Sequence, residues 1–228
     1  MIAAKIPAEP YAWPAAGAMQ AADTALLVID MQNDFCAPGG YAHSMGIDIG
    51  LTRQAIDPLA RVLQAMRDAG ALVVFTREGH RPDPSDLPDN KHWRSRRNRG
   101  EIGAAGPLGR LLVRGEAGWD IVPELAPRPG EPIVDKPGKN AFFATDLDLI
   151  LRRRGIRNLV VTGVTTDCCV HATMLAAADR GYDCLLVSDC CAASALDRHA
   201  AAVSLTQANG GQYGAVAASA DILKVLGA

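Results

Sequence analysis

The sequence lacks a charge imbalance, an apolar N-terminal run and any internal repeat. Its 228 residues carry 23 basic and 25 acidic side chains, which gives a net charge of −2. That balance offers no electrostatic basis for binding nucleic acid or a membrane surface. Residues 1–22 contain three prolines and no long apolar core, so we expect neither a signal peptide nor a membrane anchor. We predict one domain, 1–228, in which residues 1–22 form an irregular arm.

The sequence also lacks the evenly spaced cysteine framework of small secreted domains. Its six cysteines include two adjacent pairs, and they lie at positions 36, 168, 169, 184, 190 and 191. This pattern favours reduced thiols and a cytoplasmic protein.

Short apolar runs alternate with stretches of helical periodicity along most of the chain. The runs predict six strands, at 24–29, 71–76, 133–136, 158–161, 184–188 and 212–216. Helical patterns lie between them, for example at 56–66 and 197–208. Such alternation predicts an α/β fold, a Rossmann-like three-layer α/β/α arrangement around a six-stranded, mostly parallel sheet.

The stretch 77–132 is too long and too irregular for an ordinary connection, so we predict a lid or a subunit contact there. Trp93 and Trp119 could anchor such a contact or pack in the core. Its acidic and imidazole side chains could hold a metal ion, although turn and surface roles are more common for such residues; they are Glu78, His80, Asp83 and His92. The arginines at 94, 96, 97 and 99 are typical of a solvated face.

Three reactive side-chain types follow buried strands. Asp30 follows the first strand, Lys136 ends the third, and Cys168 and Cys169 begin the helix after the fourth. Ligands of open α/β sheets bind at the carboxyl ends of the strands. A cysteine in a first helical turn is favoured as thiolate, although most single cysteines are merely buried. Spacing alone does not say which of the two cysteines would be the nucleophile.

Together these segments resemble the isochorismatase-like cysteine hydrolases. The motifs that carry the resemblance are 28–35 (VIDMQNDF), 135–137 (DKP) and 163–170 (GVTTDCCV). The resemblance implies that Cys169 is the nucleophile, Asp30 the general base and acid, and Lys136 their partner. It also implies an oxyanion hole from the backbone N–H groups of Thr165 and Cys169, a cis peptide bond between Val164 and Thr165, and a homo-oligomer, usually a dimer or tetramer.

The same resemblance bears on metal and substrate. Metal-using relatives carry Asp-x-His after the second strand, where this chain has Glu78-Gly79-His80, so we expect no metal and no other cofactor. Within the family, the motifs look most like those of biuret amidohydrolases, which predicts biuret or triuret as the small-molecule substrate. Ureidoacrylate and nicotinamide hydrolysis are the alternatives, and a silent binding scaffold is the non-enzyme alternative. The expected substrate-binding residues are Phe35, Tyr41, Lys139, Asn209 and Gln212.

Overall fold

The fold, described for residues 4–228 by a computed structural model, is built on a six-stranded sheet. All strand pairs are parallel, and the spatial order is β3-β2-β1-β4-β5-β6. The strands are β1 (Thr24–Ile29), β2 (Leu72–Glu78), β3 (Ile133–Lys136), β4 (Asn158–Val164), β5 (Asp183–Ala192) and β6 (Ala215–Ala217). The chain runs outward from β1 to β3, then returns beside β1 and runs the other way, so the strand order reverses between β1 and β4.

Nine helices accompany these strands within the described part of the chain. They are α1 (Asn33–Cys36), α2 (Tyr41–Ser44), α3 (Ile49–Arg53), α4 (Ile56–Asp68), α5 (Asp89–Arg97), α6 (Leu147–Arg153), α7 (His171–Ala178), α8 (Leu196–Gly211) and α9 (Ser219–Leu226). Apolar faces of α4 and α9 bury Leu59 and Ile222 on one side of the sheet. On the other side, α6 and α7 bury Leu151 and Met174. The predicted three-layer architecture is thereby confirmed.

The central strands are apolar because both of their faces are covered. Every residue of β1 and of β4 is buried, as expected of parallel strands between two helical layers. The last strand differs from the prediction, since it begins at Ala215 rather than at 212. Residues 208–210 break the end of α8, and Gly214 adopts a φ of +133°, so the chain turns until Gly214 before it can enter the sheet.

The long stretch between β2 and β3 is ordered against the rest of the chain. It contains α5, a two-stranded ribbon (Ala105–Gly106 with Gly109–Arg110) and two 3₁₀ turns (Ala117–Trp119 and Pro123–Leu125). Its backbone bonds to the segment that follows β1, because Leu112 N–H donates to Asp34 Oδ2 and Val122 N–H donates to the Met31 carbonyl. Trp119 is buried in this contact, whereas Trp93 is 58% exposed. Homo-oligomer formation stays a prediction.

The N-terminal arm covers the β6 edge of the sheet. Glu9 exchanges two backbone hydrogen bonds with Val216, and the side chains of Ile6 and Trp13 are completely buried. The arm ends in a 3₁₀ turn, Ala21–Asp23, that leads into β1. Residues 4–228 include no helix with the length and apolar character that a membrane crossing requires.

Candidate active site

Four polar side chains, one from the end of each of four neighbouring strands, lie close together at the carboxyl edge of the sheet. Asp30 follows β1, Glu78 and Lys136 are the last residues of β2 and β3, and Cys169 lies in the turn after β4. All four residues are buried. One oxygen of each carboxylate and the sulfur of Cys169 lie within 4.8 Å of one another. The structure therefore brings the predicted Asp, Lys and Cys together and adds a second carboxylate.

Asp30 is held from two sides. Its Oδ1 atom accepts a hydrogen bond from the hydroxyl of Thr76 at 2.6 Å, and its Oδ2 atom lies 2.7 Å from Nζ of Lys136. The backbone of Asp30 is left-handed, with a φ of +51°, which costs a non-glycine residue roughly 1 kcal/mol or more. This turn directs the carboxylate toward the end of β3.

Cys169 is positioned by a close approach of β4 to β1. Gly163 adopts a φ of +108°, and a side chain there would collide with the backbone of Ile29. The following peptide bond, Val164 to Thr165, is cis as the resemblance implies. Residues 166–170 then form one π-helical turn that leads into α7. The nucleophile candidate is thus displayed by a turn rather than by a regular helix.

Glu78 is the group that contacts the sulfur. Its Oε2 atom accepts a hydrogen bond from Sγ of Cys169 at 3.2 Å and lies 3.5 Å from Nζ of Lys136. Its Oε1 atom lies 2.6 Å from Nζ of Lys91 on α5 and 3.2 Å from Nζ of Lys139. One carboxylate therefore joins the reactive thiol to three ammonium groups.

These contacts shift the ionisation of the central groups. Burial raises the pKa of Glu78, but Lys136, Lys139 and Lys91 outweigh it and hold that pKa well below its usual range. Burial lowers the pKa of Lys136, but the charge of Asp30 outweighs it and the pKa is raised. A hydrogen bond with Cys168, burial and the two nearby carboxylates raise the pKa of Cys169. The raised pKa favours the thiol form of Cys169.

Cys168 behaves differently from its neighbour. It is half-buried, and the hydrogen bond with Cys169 lowers the pKa of its thiol to about 7 although burial opposes this. Lys139 contributes in the same direction.

A cavity of about 350 Å³ lies beside Lys91 and Lys139. Both lysines contact Glu78, and Arg94 is a third cation in the lining. Tyr41 and Phe143 supply aromatic surface. None of the described residues that line this cavity is acidic. Such a lining suits a small molecule with a negatively charged end.

The other expected substrate-binding residues lie apart from this cavity. Phe35 packs edge-on against Tyr41, with ring centroids 6.1 Å apart, and borders the core rather than the cavity. Asn209 and Gln212 bond to each other at 3.0 Å on the surface just before β6. That is the amino end of the strand, so within one chain these two side chains lie at the opposite edge of the sheet from Cys169.

The side chains considered as metal ligands go to separate places. His80 is buried and its Nδ1 atom lies 3.2 Å from Oδ1 of Asp86, while His92 lies 3.1 Å from Glu101. Asp83 bonds to Ser85 at the surface. The reading of Glu78 and His80 as turn or surface residues is wrong, because both are buried. The four arginines at 94, 96, 97 and 99 are exposed as predicted.

Three residues of the centre were not singled out from the sequence for the roles they have here. Thr76 and Glu78 lie at the end of β2, and the rule that identified Asp30 and Lys136 applies equally to them. Lys91 carried no comparable signal, because it reaches the centre from a helix in the long stretch between β2 and β3.

Comparison with known proteins gives a family match and several named relatives. A family model described as the isochorismatase domain matches residues 24–221. The ureidoacrylate amidohydrolase RutB of Stutzerimonas stutzeri (strain A1501) is 40% identical over 167 residues, which cover 69% of this chain and 64% of that protein. The match thus spans less than two thirds of that relative.

Two solved structures are similar over most of their length. A cysteine hydrolase from Pseudomonas syringae pv. phaseolicola 1448A superposes with a TM-score of 0.78 at 26% identity, covering 92% of this chain and 94% of its own. The N-carbamoylsarcosine amidase of Thermoplasma acidophilum gives a TM-score of 0.67 at 26% identity, with coverage of 88% and 97%.

Proposed function

The chain belongs to the isochorismatase family, and from that premise we propose that it is a cysteine-dependent amidohydrolase of linear ureido acids. These are small molecules with a carbamoyl group on nitrogen at one end and a carboxylate at the other. Cys169 attacks the carbamoyl carbon, and the carboxylate lies in the cavity that Lys91, Arg94 and Lys139 line. Ureidoacrylate is the member of this class that we favour.

The cationic cavity is the observation that carries this proposal. Lys91, Lys136 and Lys139 bring three positive charges to the centre, whereas Asp30 and Glu78 bring two negative ones. Buried charges are costly unless they are balanced. A substrate carboxylate supplies the missing negative charge while Cys169 remains a thiol. Biuret and triuret, which the sequence favours, are neutral and do not supply this charge.

The names of two relatives point the same way. Ureidoacrylate and N-carbamoylsarcosine, named for a curated relative and a solved structure, both join a carbamoylated nitrogen to a carboxylic acid. The curated relatives therefore favour the second prediction from the sequence over the first.

The first half of the proposed reaction forms an acyl-enzyme. Asp30 takes the thiol proton as Cys169 attacks, so a carbon–sulfur bond forms while the carbonyl becomes an oxyanion. The backbone N–H groups of Thr165 and Cys169 stabilise that oxyanion. When the bond from this carbon to one of its two nitrogens breaks, Asp30 returns the proton to that nitrogen, which leaves as the free amine or ammonia, and Lys136 keeps the Asp30 carboxylate in place.

The second half releases the acyl group. Water adds to the carbonyl carbon of the thiocarbamate on Cys169 while Asp30 takes one of its protons. The carbon–sulfur bond then breaks, and the proton returns from Asp30 to the sulfur. The centre regains its starting state, with Cys169 as a thiol.

A substrate panel tests the proposal. We expect ammonia release from ureidoacrylate and 3-ureidopropionate, and little from biuret, triuret, nicotinamide or propylurea, in which a methyl group replaces the carboxylate of 3-ureidopropionate. Cys169→Ser should abolish turnover. Lys139→Met should raise KM for the ureido acids by about tenfold or more, because a charge-assisted hydrogen bond contributes roughly 1.5–3 kcal/mol.

Lys224→Met is the matched control, since Lys224 is exposed on α9 and remote from the cavity. Equal turnover of propylurea and 3-ureidopropionate would overturn the carboxylate assignment. Turnover limited to biuret or triuret would restore the first prediction from the sequence, and no turnover of any substrate would favour a silent scaffold.

A further inference from the structure

Glu78 is held in position by its neighbours, as are the three residues that the family resemblance identified. The side chain of Gln32 brackets its backbone, because Gln32 Oε1 accepts from Glu78 N–H at 2.7 Å and Gln32 Nε2 donates to the Glu78 carbonyl at 3.0 Å. Gln32 Nε2 also donates to the Trp119 carbonyl at 3.0 Å. The side chains of Gln32 and Glu78 are completely buried. A buried amide with all these bonds satisfied fixes the position of the residue it brackets.

The two oxygens of Glu78 face different partners. Oε2 receives the Cys169 thiol, and Oε1 receives Lys91 and Lys139. Lys91 also donates to the Pro137 carbonyl at 2.7 Å, so it ties α5 to the end of β3. The carboxylate thus lies between the reacting sulfur and the cationic cavity.

We propose that Glu78 is a fourth catalytic group, which retains the proton of Cys169 in the resting enzyme and holds Lys91 and Lys139 ready for the substrate carboxylate. This inference rests on the proposed function. The hydrogen bond keeps the nucleophile as a thiol until substrate is bound, so its proton is available to Asp30 and then to the leaving nitrogen. Asp30 remains the group that moves the proton.

The charges that face Cys169 decide whether its thiol becomes more or less acidic when Glu78 loses its charge. Asp30 on β1 and Glu78 on β2 favour the thiol, whereas Lys136 at the end of β3 favours the thiolate. Lys91 on α5 and Lys139 after β3 lie beyond Glu78, and Cys168 lies beside the sulfur. Removing the charge of Glu78 leaves three ammonium groups against one carboxylate. The thiol of Cys169 must then become more acidic, while the enzyme becomes slower.

The test measures alkylation of Cys169 by iodoacetamide as a function of pH, in a Cys168→Ala background so that one thiol reports. We expect Glu78→Gln to move the alkylation profile about one pH unit or more toward acid, because a nearby negative charge is lost. We also expect kcat/KM on the ureido acid to fall about 100-fold or more and KM to rise. Glu78→Asp keeps the charge but places it farther from the sulfur. This variant should move the alkylation profile toward acid by less than Glu78→Gln does.

Glu101→Gln is the matched control, because Glu101 lies in the same long stretch and pairs with His92 away from the centre. An unchanged alkylation profile in Glu78→Gln overturns the proposal, since a purely structural role would lower activity without acidifying the thiol. If that variant does not fold, an unchanged profile in Glu78→Asp overturns it instead. Alkylation requires no substrate, so this result is independent of whether ureido acids are hydrolysed.

Discussion

Nζ of Lys136 lies 2.7 Å from Oδ2 of Asp30, and neither side chain has any exposed surface. Transfer of two charges out of water costs several kcal/mol for each ion, and only their mutual attraction and further hydrogen bonds offset that cost. The ammonium group also donates to the Gly138 carbonyl at 2.9 Å. Each charge of the pair therefore depends on the other to offset its desolvation.

Removal of one partner of this pair should destabilise the protein more than removal of both. Asp30→Asn and Lys136→Met should each lower the free energy of unfolding by about 3–5 kcal/mol, because each leaves a buried charge without its nearest opposite charge. The double variant should regain part of that loss. All three should lose activity by on the order of 10³-fold. Urea unfolding with a double-mutant cycle measures this, and additive losses of stability would contradict the prediction.

The hydroxyl of Thr76 should matter for rate more than for stability. It donates to Asp30 Oδ1 and accepts from the Asp30 backbone N–H at 3.2 Å, so it orients the base. Thr76→Val should lower kcat about 10-fold or more and stability by about 1 kcal/mol. Thr206→Val is the control, because this buried hydroxyl donates to the Ala202 carbonyl within α8. Equal kcat values for the two variants would show that the hydroxyl does not orient Asp30.

The sequence is informative about the ends of strands. It is much less informative about residues, such as Lys91, that approach the active centre from other elements. Residues 24–29 and 133–136 were predicted with their observed bounds, since charged or proline residues flank each apolar run. The sequence places Glu78 in the irregular stretch because Arg77 and Glu78 interrupt the apolar pattern. In the structure β2 continues through both, and Arg77 pairs with Asp135 of β3 at 2.9 Å.

The two remaining differences have other physical causes. Lys91 reaches the centre through a tertiary contact of α5, which no local pattern encodes. Asn209 and Gln212 are indeed next to the last strand, but proximity along the chain did not distinguish its amino end from its carboxyl end. For a parallel sheet that distinction decides whether a side chain can meet the substrate.

Gly163 should be intolerant of any side chain. Its φ of +108° disfavours other residues, and a methyl group would collide with the backbone of Ile29. Gly163→Ala should therefore cost about 3 kcal/mol or more and displace the turn that carries Cys169. Gly181→Ala is the control, because Gly181 has a φ of +83° with open space around it; we expect about 1 kcal/mol there. Thermal unfolding measures both, and equal losses would mean that the collision is relieved by movement of β4.

Chelators should leave the activity unchanged. The carboxylate of Glu78 faces the ammonium groups of Lys91, Lys136 and Lys139, which would repel a divalent cation. His80 is held by Asp86, which also pairs with Arg114 at 3.1 Å. We expect equal kcat/KM before and after dialysis against EDTA and after addition of zinc. Loss of turnover on dialysis with recovery on zinc addition would show that the lysine contacts rearrange around a metal.

The two adjacent cysteines should differ in reactivity toward a thiol reagent near neutral pH. The pKa of Cys168 is lowered to about 7 and that of Cys169 is raised, so near pH 7 only Cys168 is substantially thiolate. The rate of Cys168 alkylation should rise as the pH passes from 6 to 8, because the thiolate is the reactive form. Brief treatment with iodoacetamide, followed by tandem mass spectrometry of the peptide that contains both residues, identifies the modified sulfur. Preferential labelling of Cys169 at pH 7 would mean that its ammonium neighbours outweigh Asp30 and Glu78, and that the nucleophile rests as a thiolate.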